Sequence, residues 1–339
     1  MTSTTRSALR SVPAGPALRE AEAKGSSLLA AVRAGLSASP KTLPAALLYD
    51  DLGSALFEAI TLLPEYEVTR ADLRLLEARA AEVGALLPGA DVVELGPGAG
   101  NKAKLFLERF AAGRPLRFSA IDVSEAALRD CRRTVEQLPN VTVATTQGRY
   151  LEGLREVMAA RRPGVPVLAL FLGSNLSNFT RDEAQAFLTS IRALLREGDG
   201  LLLATDLDKP ASQLIPAYDD AVGVTAAFNK NLLARLNREL DADFDVGAFR
   251  HEARWSASAR RVEMHLVATR ALDATLGVTG DVFHFEQGES LWTESSHRFR
   301  TDELQRWGLQ AGFTTAAQWT DARWAFAHTL FRVQSGAES

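Results

Sequence analysis

A single cysteine in 339 residues, Cys131, leaves no partner for an internal disulfide and no cysteine cluster for zinc. A reducing compartment and a place for Cys131 on a buried helix face are expected. Long apolar runs are also missing. No stretch reaches the roughly 18 residues a membrane helix needs, and Met1 to Pro13 lacks the apolar segment of a secretory signal, so a cytoplasmic protein is expected. The first dozen residues hold Ser, Thr and Arg without acids and read as an unstructured tail. Charge of one sign is not concentrated either. The 38 Lys and Arg are scattered against 42 Asp and Glu for a net charge of −4, which gives no footprint for nucleic acid. The five histidines, at 251, 265, 284, 297 and 328, lack metal-ligand spacing; each reads as a surface or packing residue, and no metal is expected. There is no Gly-x-Ser-x-Gly elbow for a serine hydrolase, no phosphate-loop order, and no internal repeat.

What is present is a 46% hydrophobic chain long enough for a large core. A helical Leu/Ala pattern from about Ala17 to Leu36 meets a Ser-Pro break at 37–44, and residues 45–87 carry apolar positions at helical spacing around the turn Leu63-Pro64-Glu65. From Asp91 the pattern changes. Apolar runs at 91–95, 117–121, 141–144, 165–172 and 200–204 alternate with helical segments near 101–112, 124–137, 151–161, 181–196 and 211–239. This predicts an α/β fold with a doubly wound parallel sheet. In the last hundred residues, short strands are expected at Ala253–Ala257, Arg261–Thr269 and Val282–Glu286, with a hairpin turn near Ser258-Ala259. A helix at Thr301–Ala311, opened by a Thr-Asp-Glu cap signature, and closing strands at Phe313–Trp319 and Trp324–Val333 complete the reading.

The first apolar run ends in Glu94-Leu95-Gly96-Pro97-Gly98-Ala99-Gly100-Asn101-Lys102. Glycines there allow positive φ and a close backbone approach to a ligand, and Asn101 is expected to cap the helix that follows. The spacing is Gly-x-Gly-x-Gly, which disfavours ATP and NAD. An acid two residues before the first glycine, and a second strand ending in Asp122, resemble the surroundings of the cofactor in an S-adenosylmethionine (SAM) methyltransferase. The fourth strand ends in Gly173-Ser174-Asn175-Leu176-Ser177-Asn178-Phe179-Thr180 at the carboxyl edge of the sheet, where open α/β folds bind ligands. Gly173 would let a substrate approach the backbone, and Asn178 offers a donor and an acceptor suited to an amino acid. One of Ser177, Asn178 and Thr180 is expected to cap the next helix.

Five further stretches carry a more specific resemblance. They are Tyr49-Asp50-Asp51-Leu52-Gly53-Ser54-Ala55-Leu56-Phe57, Leu63 to Arg70, Tyr218 to Asn229, Arg261-Val262-Glu263-Met264, and Thr293-Glu294-Ser295-Ser296 through Arg300. Together they resemble the histidine-specific, SAM-dependent Nα-methyltransferases that form hercynine in ergothioneine biosynthesis, over about residues 40–335. The resemblance implies a Rossmann-like sheet (88–205, with 301–335 returning to it) and a smaller α+β substrate-binding domain. That second domain would be built from 206–300 with help from 41–87, behind a partly disordered segment 1–40. Asn178 and Tyr218 would grip the α-carboxylate and amine, and Tyr49, Gly173 and Asn178 are the candidate catalytic positions at the α-amino end. Tyr66, Met264, Glu294 and Ser296 would form the side-chain pocket, with Glu294 and Ser296 reading the imidazole. Glu94, Gly96, Gly98, Lys102 and Asp122 would serve the methionine and ribose parts of SAM. The family's Gly-Asp-aromatic at the end of strand three is Gly148-Arg149-Tyr150 here, so Tyr150 can flank adenine but Arg149 cannot accept from its amino group. Pro97 and Asn175-Leu176-Ser177 also depart from the family. The implied partner is a small amino acid, with no nucleic acid or membrane, and the chain is expected to be a monomer. Another amino acid such as tryptophan, or a non-catalytic ligand-binding homologue, are the alternatives.

Overall fold

The computed structural model describes residues 28–333. The expected tail and the first part of the 17–36 helix lie outside the described residues. Residues 28–36 are helical (α1), and after a 3₁₀ turn at Ala45–Leu48 the chain forms α2 (Asp51–Leu62) and α3 (Glu67–Leu86). The Asp50 carboxylate caps α2 by accepting from Gly53 N–H at 2.7 Å.

Five strands then alternate with helices: β1 (Asp91–Leu95), α4 (Asn101–Ala111), β2 (Leu116–Asp122), α5 (Glu125–Val135), β3 (Val141–Gln147), α6 (Tyr150–Ala159), β4 (Val167–Phe171), α7 (Arg181–Leu194) and β5 (Gly200–Asp206). The strands β1, β4 and β5 are buried at every residue, as an apolar run covered on both faces must be. Two antiparallel strands, β11 (Thr314–Asp321) and β12 (Phe326–Arg332), complete a seven-stranded sheet of order β11-β12-β5-β4-β1-β2-β3. Its topological switch falls between β1 and β4, which pair in parallel from Asp91↔Val167 to Glu94↔Leu170. The loops after these two strands therefore open side by side at the carboxyl edge.

The expected single helix 211–239 is broken into α8 (Ala211–Leu214), a 3₁₀ turn (Ile215–Ala217) and α9 (Val224–Glu239). Pro216 sits in the 3₁₀ turn, Gly223 enters α9 at φ +81°, and the Asp220 carboxylate caps α9 through the N–H groups of Val224 (2.9 Å) and Thr225 (2.7 Å). The break frees Tyr218 from a helix. A second sheet of order β10-β7-β6 combines β6 (Phe249–Ser256), β7 (Arg261–Ala268) and β10 (Ser290–His297), and β8 (Leu272–Leu276) pairs with β9 (Asp281–Phe285). The hairpin turns at 257–260 as expected, whereas β8 and β10 are additional strands. Helix α10 (Thr301–Gln310) starts with Thr301 already inside the helix, and Glu303 reaches back to Arg300 N–H at 3.3 Å.

Asn101 is likewise the first residue of its helix and not the cap. Gly100 takes that place at φ +80°, and a Cβ there would lie 2.9 Å from both Cα and Sγ of the buried Cys131 on α5. Close packing of α4 against α5 thus requires the glycine.

Candidate active site

At the carboxyl edge, Tyr49, Tyr66, Gly173, Asn178, Tyr218, Met264, Glu294 and Ser296 line a single pocket together with Phe57, Asn175, Ser177, Asp206 and Phe228. Residues from both sheets, from α2–α3 and from the loop before α9 meet there. Tyr49, 39% exposed, packs edge-on against Phe57 (5.7 Å) and Phe228 (5.5 Å), and Tyr66 lies edge-on to Tyr218 at 6.3 Å. Capping of α7 is done by Thr180, whose hydroxyl accepts from Glu183 N–H, so Asn178 is not used for it.

Glu294 and Met264 are directly paired across β10 and β7, beside a bulge at Trp292/Glu294. The Glu294 carboxyl is buried and receives no hydrogen bond from any described residue; burial pushes it up to about 7, with Arg298 pulling the other way. Burial also raises the Tyr66 and Tyr218 hydroxyls above their usual range, so both remain protonated at neutral pH. They can pass protons along but cannot act as the base.

The neighbouring loop after β1 has Gly96, Gly98 and Gly100 all at positive φ. A Cβ on Gly96 would lie 3.2 Å from the Tyr150 hydroxyl and 3.4 Å from Asn175 Nδ2, whereas Gly98 faces open space. Glu94 is buried with one carboxylate oxygen unpartnered, and burial pushes it up to about 8 against the pull of Lys102. Asp122 accepts from Ser124 N–H at 2.9 Å; burial raises its carboxyl, opposed by backbone N–H groups of Ser124, Gly98 and Val123. Arg149 is exposed and makes no side-chain hydrogen bond or ion pair with a described residue.

Several polar groups around the pocket escaped the sequence reading. Asp72 on α3 is wholly buried and accepts from Gly173 N–H (2.9 Å), Lys102 Nζ (2.8 Å) and His328 Nε2 (2.6 Å). It thereby links the glycine-loop helix to the Gly173 loop. Arg298 is also wholly buried and reaches both Tyr218 and Ser296. His251 Nε2 donates to the Tyr218 carbonyl at 2.7 Å, while its Nδ1 faces Asn229 Nδ2 at 2.9 Å. Asp72 and His251 sit among several other charged residues on α3 and β6, and Arg298 follows β10, so no local pattern sets them apart.

Residues 28–333 match the model of the family described as histidine-specific, SAM-dependent methyltransferases. The chain belongs to that family. It is 39% identical over 301 residues to a histidine N-alpha-methyltransferase of Mycolicibacterium smegmatis, covering 88% of this chain and 92% of that protein. Ergothioneine biosynthesis protein 1 of Neurospora crassa is 30% identical over 83% of this chain, which spans 32% of the fungal protein. A 4-dimethylallyltryptophan N-methyltransferase of Penicillium roqueforti is 28% identical over 85% of this chain and 88% of that protein. The methyltransferase uses SAM as its methyl donor. Its own residues suit that ligand. A glycine cradle open at Gly98, the unpartnered oxygen of Glu94, and an acid ending β2 are the groups a methionine moiety and a ribose would engage. The adenine acceptor expected at position 149 is absent.

Proposed function

We propose that this methyltransferase acts on the α-amine of free L-histidine and carries it through three transfers to the trimethylated betaine, hercynine. The observation that supports this most directly is the buried Glu294 carboxyl, left without a donor among the described residues on the wall of a pocket it shares with Ser296, Asn178 and Tyr218. An indole could give its N–H to Glu294 but has no bare ring nitrogen to accept from the neighbouring hydroxyl, and leaving that donor unpaired would cost about 1–3 kcal/mol, which argues against tryptophan.

In this reading the chain divides into a donor-binding part, residues 88–205 with 301–335, and an acceptor-binding part from 206–300 and 41–87. Glu94, Gly96, Gly98, Lys102, Asp122 and Tyr150 hold the donor, which supplies the methyl group from its sulfonium. Asn178 and Tyr218 hold the carboxylate and amine, and Gly173 and Tyr49 line the space around the nitrogen. Glu294 accepts the imidazole N–H, a hydroxyl serves the bare ring nitrogen, and Met264 and Tyr66 wall the ring. Fixing both ends of the amino acid leaves its nitrogen free to turn as methyl groups accumulate. Because the neighbouring tyrosines stay protonated, the amine loses its proton to water through them before each transfer.

A time course with histidine and excess SAM, read by mass, tests this. Mono- and dimethyl species should appear and give way to the trimethyl product. An unmodified histidine pool, or accumulation ending at one or two methyl groups, would refute it.

A further inference from the structure

Arg298 is the one arginine among the described residues that is fully buried, at 0% exposure. An arginine in that position needs a counter-ion and acceptors, because its polar hydrogens are all donors and desolvating the cation is costly. Its counter-ion is Asp206 at the end of β5, whose Oδ2 lies 2.9 Å from Nε in an ion pair that lacks hydrogen-bond geometry. The same Asp206 also pairs with the buried Lys209. Two cations therefore share one carboxylate, and the cluster has a positive charge in excess beside the pocket that Asp206 lines.

The terminal guanidinium nitrogens donate to groups on and behind the pocket wall. Nη1 donates to the Ser296 hydroxyl oxygen at 2.8 Å and to the carbonyls of Ser296 (2.9 Å) and His297 (3.1 Å), and Nη2 donates to the Tyr218 hydroxyl oxygen at 2.9 Å. Tyr218 and Ser296 also touch each other at 2.8 Å. Each hydroxyl has two lone pairs and one proton. Arg298 occupies one lone pair on each, and their mutual contact uses a third lone pair and one proton. One lone pair and one proton remain; because the Ser296 hydroxyl also has Ser177 Oγ in reach as an acceptor at 3.2 Å, the proton left for a ligand is that of Tyr218, with Ser296 the donor in their mutual contact. Ser177 cannot supply another, since its own proton goes to the Ser174 carbonyl at 2.6 Å. Without the guanidinium the pair would turn three lone pairs toward the ligand, next to an acid that is itself an acceptor.

We infer that Arg298 is a positioning residue for substrate choice: its planar fork fixes Tyr218 and Ser296 relative to each other and takes up their acceptor capacity. The pair then presents a proton to the bare nitrogen of an imidazole whose N–H is bound by Glu294. This rests on the reading of the pocket as a histidine site. Lysine could keep the charge but not the fork.

The test is a double-mutant cycle in kcat/KM for histidine, with S-adenosylhomocysteine affinity measured on every variant. Arg298→Lys should lose about 10- to 100-fold while binding S-adenosylhomocysteine within about two-fold of wild type. Because Arg298 acts through Ser296, Arg298→Lys in a Ser296→Ala background should cost much less than in wild type. Additive losses would overturn the inference, since a general structural role lowers activity equally in both backgrounds. A wild-type measurement covers the case in which the variant does not fold. In protein labelled with [15N]arginine, the most slowly exchanging guanidinium signal should move on adding histidine and stay in place on adding S-adenosylhomocysteine; no movement with histidine would overturn the inference. Should wild type fail to methylate histidine at all, the reading of the pocket falls. Turnover with an additive cycle removes only the role of Arg298.

Discussion

Glu294 combines two properties that together make it a reader of a ring N–H: it is buried, and no described residue donates to it. Replacing it by alanine should lower kcat/KM for histidine by about 10- to 150-fold, the worth of a charge-assisted hydrogen bond, with SAM affinity unchanged. An unaltered kcat/KM would remove Glu294 from the pocket's chemistry. Asp122→Ala should do the reverse, weakening SAM by about 2 kcal/mol through loss of the ribose contact while histidine is handled as before. Calorimetry giving an affinity within about two-fold of wild type would contradict this. Arg149 is exposed and free of ion pairs among the described residues, so nothing ties it to a structural task. Arg149→Asp should restore an acceptor for the adenine amino group and tighten SAM several-fold. Weakened binding would mean that the guanidinium itself contacts the cofactor, for instance by stacking on the adenine.

Among the elements, the glycine loop is where backbone conformation and packing bear on the same residue. Gly100→Ala must force φ +80° on a residue with a Cβ and drive that Cβ into Cys131, so it should destabilise the fold by about 2–4 kcal/mol in urea titrations and weaken SAM. A melting curve like that of wild type would show that α4 can shift away from α5. The central strands were legible because burial on both faces writes a continuous apolar run, and β1, β4 and β5 lie within one or two residues of the expected bounds. The break at 218–223 was not, since Leu214, Ala217, Phe228 and Leu232 hold helical spacing on both sides of it and only Pro216 and Gly223 mark it. Strand β10 was missed as a strand although two of its residues were singled out. Its alternation is blurred by Thr293 and Glu294, both buried in succession at the bulge.

At the scale of the whole molecule, two buried acids at the carboxyl edge give stability a direction with pH. Glu94 and Glu294 are raised from 4.5 to about 8 and about 7, so the folded protein holds protons that the unfolded chain releases across that interval. Stability of the ligand-free protein should therefore be greatest on the acid side of the interval and fall as pH climbs toward 8. Asp72 has the opposite sign, since its carboxyl is lowered, but its effect lies below 3.8 and outside this window, whereas His265 and His297, lowered from 6.5 by burial, oppose the trend in its acid half. Glu94→Gln should reduce the difference between melting temperatures at about pH 5 and about pH 8.5, and an unchanged difference would place the cost elsewhere. The pocket residues were legible from the motifs of the family, whereas Asp72, Arg298 and His251, which fix those residues from behind, carry no local pattern and become visible only when distant segments meet. The central claim is that this pocket selects histidine. Incubating the purified protein with SAM and an equimolar pool of the twenty amino acids, and resolving the products by mass, tests it most directly: histidine alone should gain methyl groups, up to three, and methylation of tryptophan or another amino acid in preference to histidine would contradict it.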